Sequence, residues 1–267
     1  MQPERPSERF RVLEEIGSGG MGRVFRAERN DPSLQHEVAI KVVRRDMMTP
    51  QALSRFQSER AVLARLQHPG ICQFIDAGTL EDGSPYVVME LLRDAVPIVT
   101  HADRTRLSIE HRIDLFRRVL DAVHYAHRNL VVHRDVKAGN VLVLPNGQPK
   151  LLDFGIAKSI ADGADRGSTA TSDRYFSLAT AAPEQLTGAP ITVACDIYSL
   201  GVLLYELLTG RTPFADAGDS LPALIEQITH RIPPSLRQAA LQLGSTGVDV
   251  RQSSAAALNR SLGGDIE

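Results

Sequence analysis

Short apolar runs of strand type dominate the first third of the chain, and a helical spacing of apolar positions dominates after it. Residues 10 to 43 read as strands. Ile16 leads into a glycine turn, Val24-Phe25-Arg26-Ala27 resumes, Asn30-Asp31-Pro32 turns, and Val38-Ala39-Ile40-Lys41-Val42-Val43 is a buried strand. Thr49 is an N-cap with Pro50 at the first helical position, and the helix runs to about Leu66, where His68-Pro69 stops it. Ile71 to Ile75 and Tyr86 to Met89 are two further strands, joined by the turn Glu81-Asp82-Gly83-Ser84. After Leu92 the spacing becomes helical. Ser108 caps a helix with Ile109, Ile113, Phe116, Leu120 and Val123 on one face. Another helix runs from about Val193 to Thr209 and closes on Gly210. Leu221, Leu224, Ile225 and Ile228 mark one more, and residues 239 to 261, rich in Ser, Gln and Ala, read as a flexible insert. The expectation is an α+β chain in two lobes, strand-rich over 10–92 and helix-rich over 93–267, hinged at Glu90 to Asp94.

Composition narrows the class. The 267 residues are 43% hydrophobic and 23% charged with a formal net charge of -2, as in an ordinary soluble globular protein. Near-zero charge argues against a dedicated nucleic-acid partner. Cys72 and Cys195 make neither a disulfide framework nor a metal-site spacing and read as small buried residues of a reducing compartment. The N-terminus has no apolar core of a signal peptide. The longest apolar stretch, Ile197 to Leu208, is broken by Glu206 and is too short to span a bilayer. A cytoplasmic protein, or the cytoplasmic domain of a longer parent chain with no membrane segment of its own here, is expected.

The chemistry concentrates in His133-Arg134-Asp135-Val136-Lys137-Ala138-Gly139-Asn140. Apolar runs flank this octapeptide, and a carboxylate, an ammonium and an amide between buried strands need a reason. They are the parts needed to move a phosphoryl group. Gly17-Ser18-Gly19-Gly20-Met21-Gly22 matches G-x-G-x-x-G, a weak signal alone. A dinucleotide fingerprint would open a helix after the last glycine. Here Arg23-Val24-Phe25-Arg26 continues as a strand, which leaves a mobile turn or a glycine hairpin folded over phosphates. In the helix after Thr49, Glu59 lies on the stripe of Leu53, Phe56, Leu63 and Leu66. A carboxylate facing a core needs a cation, and Lys41 is the candidate. Breaking such a buried pair costs roughly 3–5 kcal/mol. If Asn146-Gly147 is a two-residue hairpin loop, Asn140 faces Asp153, a ready oxygen-ligand site for Mg²⁺.

Taken in order, these segments resemble a bacterial, eukaryotic-like (Hanks-type) serine/threonine protein kinase over roughly residues 10 to 235. The match comprises the glycine loop, Val38-Ala39-Ile40-Lys41, Glu59, His133 to Asn140, Asp153-Phe154-Gly155, Ala182-Pro183-Glu184 and Asp196-Ile197-Tyr198-Ser199-Leu200-Gly201. The resemblance implies a two-lobed fold, an antiparallel-sheet N-lobe before a helical C-lobe, and transfer of the ATP γ-phosphate to Ser/Thr hydroxyls of protein substrates. It assigns nucleotide contacts to Ile16, Gly17, Ser18, Gly19, Gly20, Met21 and Gly22, to Val24, Ala39 and Leu142 around adenine, to the gatekeeper Met89, and to the hinge groups of Glu90 and Leu92. Lys41, paired with Glu59, would hold the α- and β-phosphates. Asp135 would accept the hydroxyl proton, and Lys137 would bind the γ-phosphate. Asn140 and Asp153 would carry Mg²⁺, with Mn²⁺ an alternative. Leu63, Phe74, His133 and Phe154 would stack as a spine, and Asp196 would cap the catalytic-loop backbone.

The chain departs from the family pattern at several places. Ala138 stands where proline is common, Asp94 where the hinge often has glycine, and Thr180 where an aromatic precedes Ala-Pro-Glu. The last helices are not recognisable, so the C-lobe is expected to be incomplete, with weak stability or self-association. Glu184 should need a cation, and Arg231, Arg237, Arg251 and Arg260 lack the expected context. Ser168, Thr169, Thr171 and Ser172 are candidate autophosphorylation sites, with Arg134 positioned to meet their phosphates. A pseudokinase scaffold that binds nucleotide without efficient transfer and a small-molecule phosphotransferase are the rival readings. Against the first stands the presence of every catalytic residue of the family pattern. The second would not need Lys137 or Ala182-Pro183-Glu184.

Overall fold

The computed structural model describes residues 9–19, 22–30, 36–44, 63–154, 178–215, 220–241 and 251. The chain forms two compact units. The first spans Met1–Arg93 and takes in Asp153 and Phe154; the second spans Asp94–Leu152 and resumes at Tyr175.

In the first unit β1 (Phe10–Gly19), β2 (Gly22–Arg29), β3 (Glu37–Val43), β4 (Phe74–Thr79) and β5 (Pro85–Glu90) form an antiparallel sheet in the order β1-β2-β3-β5-β4. β5 lies between β3 and β4, and its residues from Pro85 to Met89 are all buried, which explains an apolar run without alternation. The fourth strand starts at Phe74 rather than Ile71, because Ile71 makes only an isolated bridge. The strand period divides the sheet's two faces. Phe10, Ala27, Val38, Ile40, Leu80, Tyr86 and Val88 pack on one. Ala39, Val87 and Met89 pack on the other with Val24, Cys72, Phe74, Ala77 and Leu91. Lys41 pairs in register with Val24 and Val87 and so shares this second face.

The β1–β2 pairing runs from Phe10 opposite Arg29 to Gly19 opposite Gly22, so the glycine motif is a hairpin and not a strand-to-helix turn. Gly20 and Met21 lie outside the described residues. Gly22 lies opposite Val43 with φ 155°, and a Cβ there would run into the carbonyl of Val42. Gly22→Ala is therefore expected to cost about 1–3 kcal/mol. A calorimetric melt checks it, and an unchanged transition would mean that the hairpin yields to the methyl group.

The second unit is helical around a small sheet of β6 (Val96–Pro97), β7 (Val141–Val143) and β8 (Pro149–Leu151). Its helices are α1 (Ile98–Arg104), α2 (Ile109–Arg128), α3 (Pro183–Thr187), α4 (Val193–Thr209), α5 (Leu221–His230) and α6 (Leu236–Leu241). Ser108 caps α2 by accepting the His111 N–H. The seam of α2 includes Leu115, Val119 and Ala122, and Leu120 is an exposed position rather than a core one. Ten residues of α4 are buried, on more than one face, which makes it the helix about which the unit packs. Gly210 ends it in the left-handed conformation at φ 81°.

Residues 239 to 241 belong to α6 rather than to a flexible insert, and Ala239 packs with Ile109, Tyr205, Leu208 and Leu236. Arg251 is 2% exposed and donates from Nε to the Leu208 carbonyl in the last turn of α4. Desolvation, then the neighbouring Arg112, lowers its pKa to about 10. A tail arginine without recognisable context thus stands at a helix C-terminus, where a cation is favoured.

Candidate active site

The catalytic-loop segment is suspended from Asp196, in the first turn of α4. This carboxylate is fully buried. Its Oδ2 accepts the His133 N–H and its Oδ1 the Arg134 N–H, each at 2.7 Å, and His127 Nε2 lies 2.7 Å from Oδ2. The expectation for Asp196 thus matches its geometry, and His127 is an addition that the sequence reading missed. Two backbone donors and the N-terminal end of a helix supply what a buried anion requires.

His133 is also fully buried. Its Nε2 faces the Leu152 carbonyl at 2.7 Å, and its Nδ1 faces the Asp135 N–H at 3.2 Å. A carbonyl only accepts and an amide N–H only donates, so the ring is the neutral tautomer protonated on Nε2. Both nitrogens are engaged in holding backbone, which suits a structural role.

Asp135 is 6% exposed, and its Oδ2 meets Lys137 Nζ and Asn140 Nδ2, each at 2.9 Å. Asn140 Nδ2 also donates to the Asp135 carbonyl at 2.9 Å. The single turn Ala138–Asn140 brings the asparagine back over the aspartate. Asn140 therefore presents its nitrogen to Asp135 and keeps Oδ1 as an acceptor.

The hairpin after it differs from the expected register. Val141 pairs with Leu151, Leu142 with Lys150 and Val143 with Pro149. Leu144 N–H donates to the Gln148 carbonyl, so the loop is Pro145-Asn146-Gly147, three residues with Gly147 at φ 81°. Leu152, not Asp153, meets Asn140, through its N–H to the Asn140 carbonyl at 2.8 Å. Pro149 sits on an edge strand, where its missing N–H costs no ladder bond.

Asp153 leaves the ladder at φ 50° and belongs to the first unit. There its Oδ2 meets Lys41 Nζ at 2.6 Å. Lys41 thus has an acidic partner, though Glu59, expected to fill that role, lies outside the described residues. Gly155 and the four candidate phosphorylation sites lie outside them as well. Asp153 keeps Oδ1, and this oxygen and Asn140 Oδ1 are hard donors of the kind Mg²⁺ takes.

The remaining expected nucleotide contacts distribute between the units. Val24, Ala39 and Met89 lie on the Lys41 face of the first, with Ile16 exposed on the glycine strand. Glu90 turns its Oε1 to the Gln73 N–H at 2.7 Å, and Cys72 Sγ lies 3.8 Å from its carbonyl. Among the described residues the backbone of Leu92 has no hydrogen-bond partner. Leu142 sits in β7 of the second unit, opposite Lys150 and Pro97. Asp94, where glycine was the family expectation, adopts φ 56°, a conformation glycine reaches without strain.

Two more features tie the Ala182-Pro183-Glu184 segment down. Ser199 Oγ donates to the Thr180 carbonyl at 2.9 Å, and Gln185 Nε2 donates to the Arg134 carbonyl at 2.8 Å. Glu184 has no ion pair among the described residues; Arg231 and Arg237 are exposed. Cys195 is buried, and desolvation followed by the charge of Asp196 pushes its thiol up to about 12. Cys72 is only half-buried.

A family model described as the protein kinase domain matches residues 10–247. The chain is 38% identical over 236 residues to the serine/threonine-protein kinase PknA of Mycobacterium tuberculosis, covering 85% of this chain and 53% of that protein. It is 35% identical over 245 residues to PknB of Mycolicibacterium smegmatis, covering 89% of this chain and 38% of that one. It therefore spans about half the length of PknA and less of PknB. The crystal structure of the Mycobacterium tuberculosis PknI kinase domain matches with a TM-score of 0.63 at 24% identity, over 98% of each chain, and speaks for the fold. Family model, relatives and fold agree: the chain belongs to the protein kinase family, in its bacterial, eukaryotic-like serine/threonine branch.

Proposed function

We propose that the chain is an ATP-dependent protein serine/threonine kinase domain that transfers the γ-phosphoryl group to Ser and Thr hydroxyls of proteins. The observation that carries this reading is the Asp135 carboxylate, with Lys137 and Asn140 each 2.9 Å from one of its oxygens. In this reading the Asp135 carboxylate takes the hydroxyl proton while Lys137 supplies positive charge beside it. Lys41 holds the α- and β-phosphates, with the glycine hairpin over them. On the first unit Val24, Ala39 and Met89 would face the adenine ring, and the backbone of Glu90 and Leu92 would bond it; on the second unit Leu142 is the residue assigned to adenine.

The family uses ATP with a divalent cation. Asn140 and Asp153 would hold Mg²⁺ through oxygen, and the cation supplies charge neutralisation for the phosphates. Near-neutral net charge supports protein rather than nucleic-acid substrates. Among the described residues no helix is long and apolar enough to cross a membrane. A cytoplasmic setting, as a protein or as the cytoplasmic domain of a longer parent chain, fits this reading.

Incubation with labelled ATP and Mg²⁺ should place label on serine and threonine, on an added protein and on the chain itself. Lys41→Ala should reduce the transfer by more than about 100-fold, because phosphate positioning supplies much of the catalysis. Nucleotide binding without any transfer would instead favour the scaffold reading.

A further inference from the structure

The peptide plane that carries Asp135 is held at both ends. Its carbonyl, on Arg134, accepts Gln185 Nε2 at 2.8 Å. Its N–H, on Asp135, meets His133 Nδ1 at 3.2 Å. The preceding N–H, on Arg134, meets Asp196 Oδ1 at 2.7 Å. Arg134 itself stands at φ 67°, which residues with a side chain seldom adopt. Such a backbone persists where its surroundings over-determine it. His133 and Asp196 supply two of the restraints from within the loop and from α4. Gln185 supplies the third, from a different segment.

The same amide group faces the other way as well. Gln185 Oε1 accepts the Ala182 N–H at 2.9 Å, the reach-back bond at the start of α3. One oxygen must face an N–H and one nitrogen must face a carbonyl, so both contacts together call for an amide. Capping α3 alone would not: glutamate does it equally well at this position. The extra requirement comes from the Arg134 carbonyl.

We infer that Gln185 is a positioning residue for phosphoryl transfer, which fixes the Arg134–Asp135 peptide and thereby the aim of the Asp135 carboxylate, and couples that aim to the Ala182-Pro183-Glu184 segment. The inference rests on the reading of Asp135 as the base. Gln185 touches neither reacting group; it acts through the backbone. If the peptide tilts, the carboxylate moves with it, and misplacement by about an ångström costs on the order of 100-fold in rate.

The discriminating variant is Gln185→Glu. It keeps the acceptor for Ala182 N–H, so α3 stays capped, but it sets a carboxylate oxygen against the Arg134 carbonyl. The expected result is a kcat lowered about ten- to 100-fold, a KM for ATP changed by less than about twofold, an unchanged melting temperature and faster hydrogen exchange over residues 133–137. Gln185→Ala, which loses both contacts, should lower kcat as far and also lower the melting temperature, because α3 loses its reach-back bond. A wild-type kcat for Gln185→Glu, or a KM for ATP that rises in step with the fall in kcat, overturns the inference. Asp135→Asn measured alongside separates the two claims. Unimpaired transfer by Asp135→Asn removes the base assignment, whereas an inactive Asp135→Asn beside an unimpaired Gln185→Glu removes only the role of Gln185.

Discussion

Asp135→Asn is expected to lower kcat by about 100- to 10,000-fold while leaving the Kd for ATP nearly unchanged. The amide has the volume of the carboxylate and can still accept from Lys137 or Asn140, so the loop should hold its shape. What it cannot do is take a proton at neutral pH. Nucleotide binding survives because the phosphate and adenine contacts are assigned to other residues, with Lys41 and the glycine hairpin on the first unit. Single-turnover rates with titration calorimetry check both halves of the expectation. Transfer at the wild-type rate would remove Asp135 from the mechanism, whatever the family pattern implies.

Arg112→Ala should be the most damaging substitution for stability, by about 3–5 kcal/mol, or roughly 10 °C in the melting temperature. Arg112 is fully buried in the seam of α2. Its Nε donates to the Leu107 carbonyl, one terminal nitrogen to Leu207, and the other to Ala102 and to Asp103 Oδ1 at 2.7 Å. One side chain therefore joins α1, α2 and the last turn of α4. Truncation leaves buried carbonyls without donors and opens a void, and both effects act against the fold. Arg112→Lys, with fewer donors and no planar fork, should fall between. A thermal melt decides it, and a loss under about 1 kcal/mol would mean that water replaces the guanidinium.

The strands, the helix caps and the order of the motifs were legible because each rests on local chemistry. Ser108 and Gly210 act as a hydroxyl N-cap and a left-handed C-cap do. The residues just after the glycine motif decide its kind, since Val24 continues a strand. The hairpin register was not legible, because a two-residue and a three-residue loop both use Asn146-Gly147, and only the ladder distinguishes them. Arg112 escapes a sequence reading for a different reason. It lies three residues after Ile109 and four before Phe116, the same spacing that singles out Glu59, yet a long cationic side chain on an apolar face can ordinarily reach water with its head group. Gln185 and His127 carry no local mark at all. Their partners, Arg134 and Asp196, are distant in sequence, and only the fold brings them together.

The turn at Pro145-Asn146-Gly147 offers no reacting group, yet it acts as a spacer that sets the phase of the chain beyond it. Successive residues of a strand face opposite ways, so one residue more or less at the turn inverts the chain that emerges from it. With this length, Leu152 is the last residue tied to Asn140, and Asp153 is the first released. A turn shorter by one would retain Asp153 in the ladder and release Phe154 in its place. The acidic partner of Lys41 would then be lost without any change to either residue. A turn remote from the reacting groups thus decides which carboxylate reaches Lys41, through the register it closes rather than through any contact of its own.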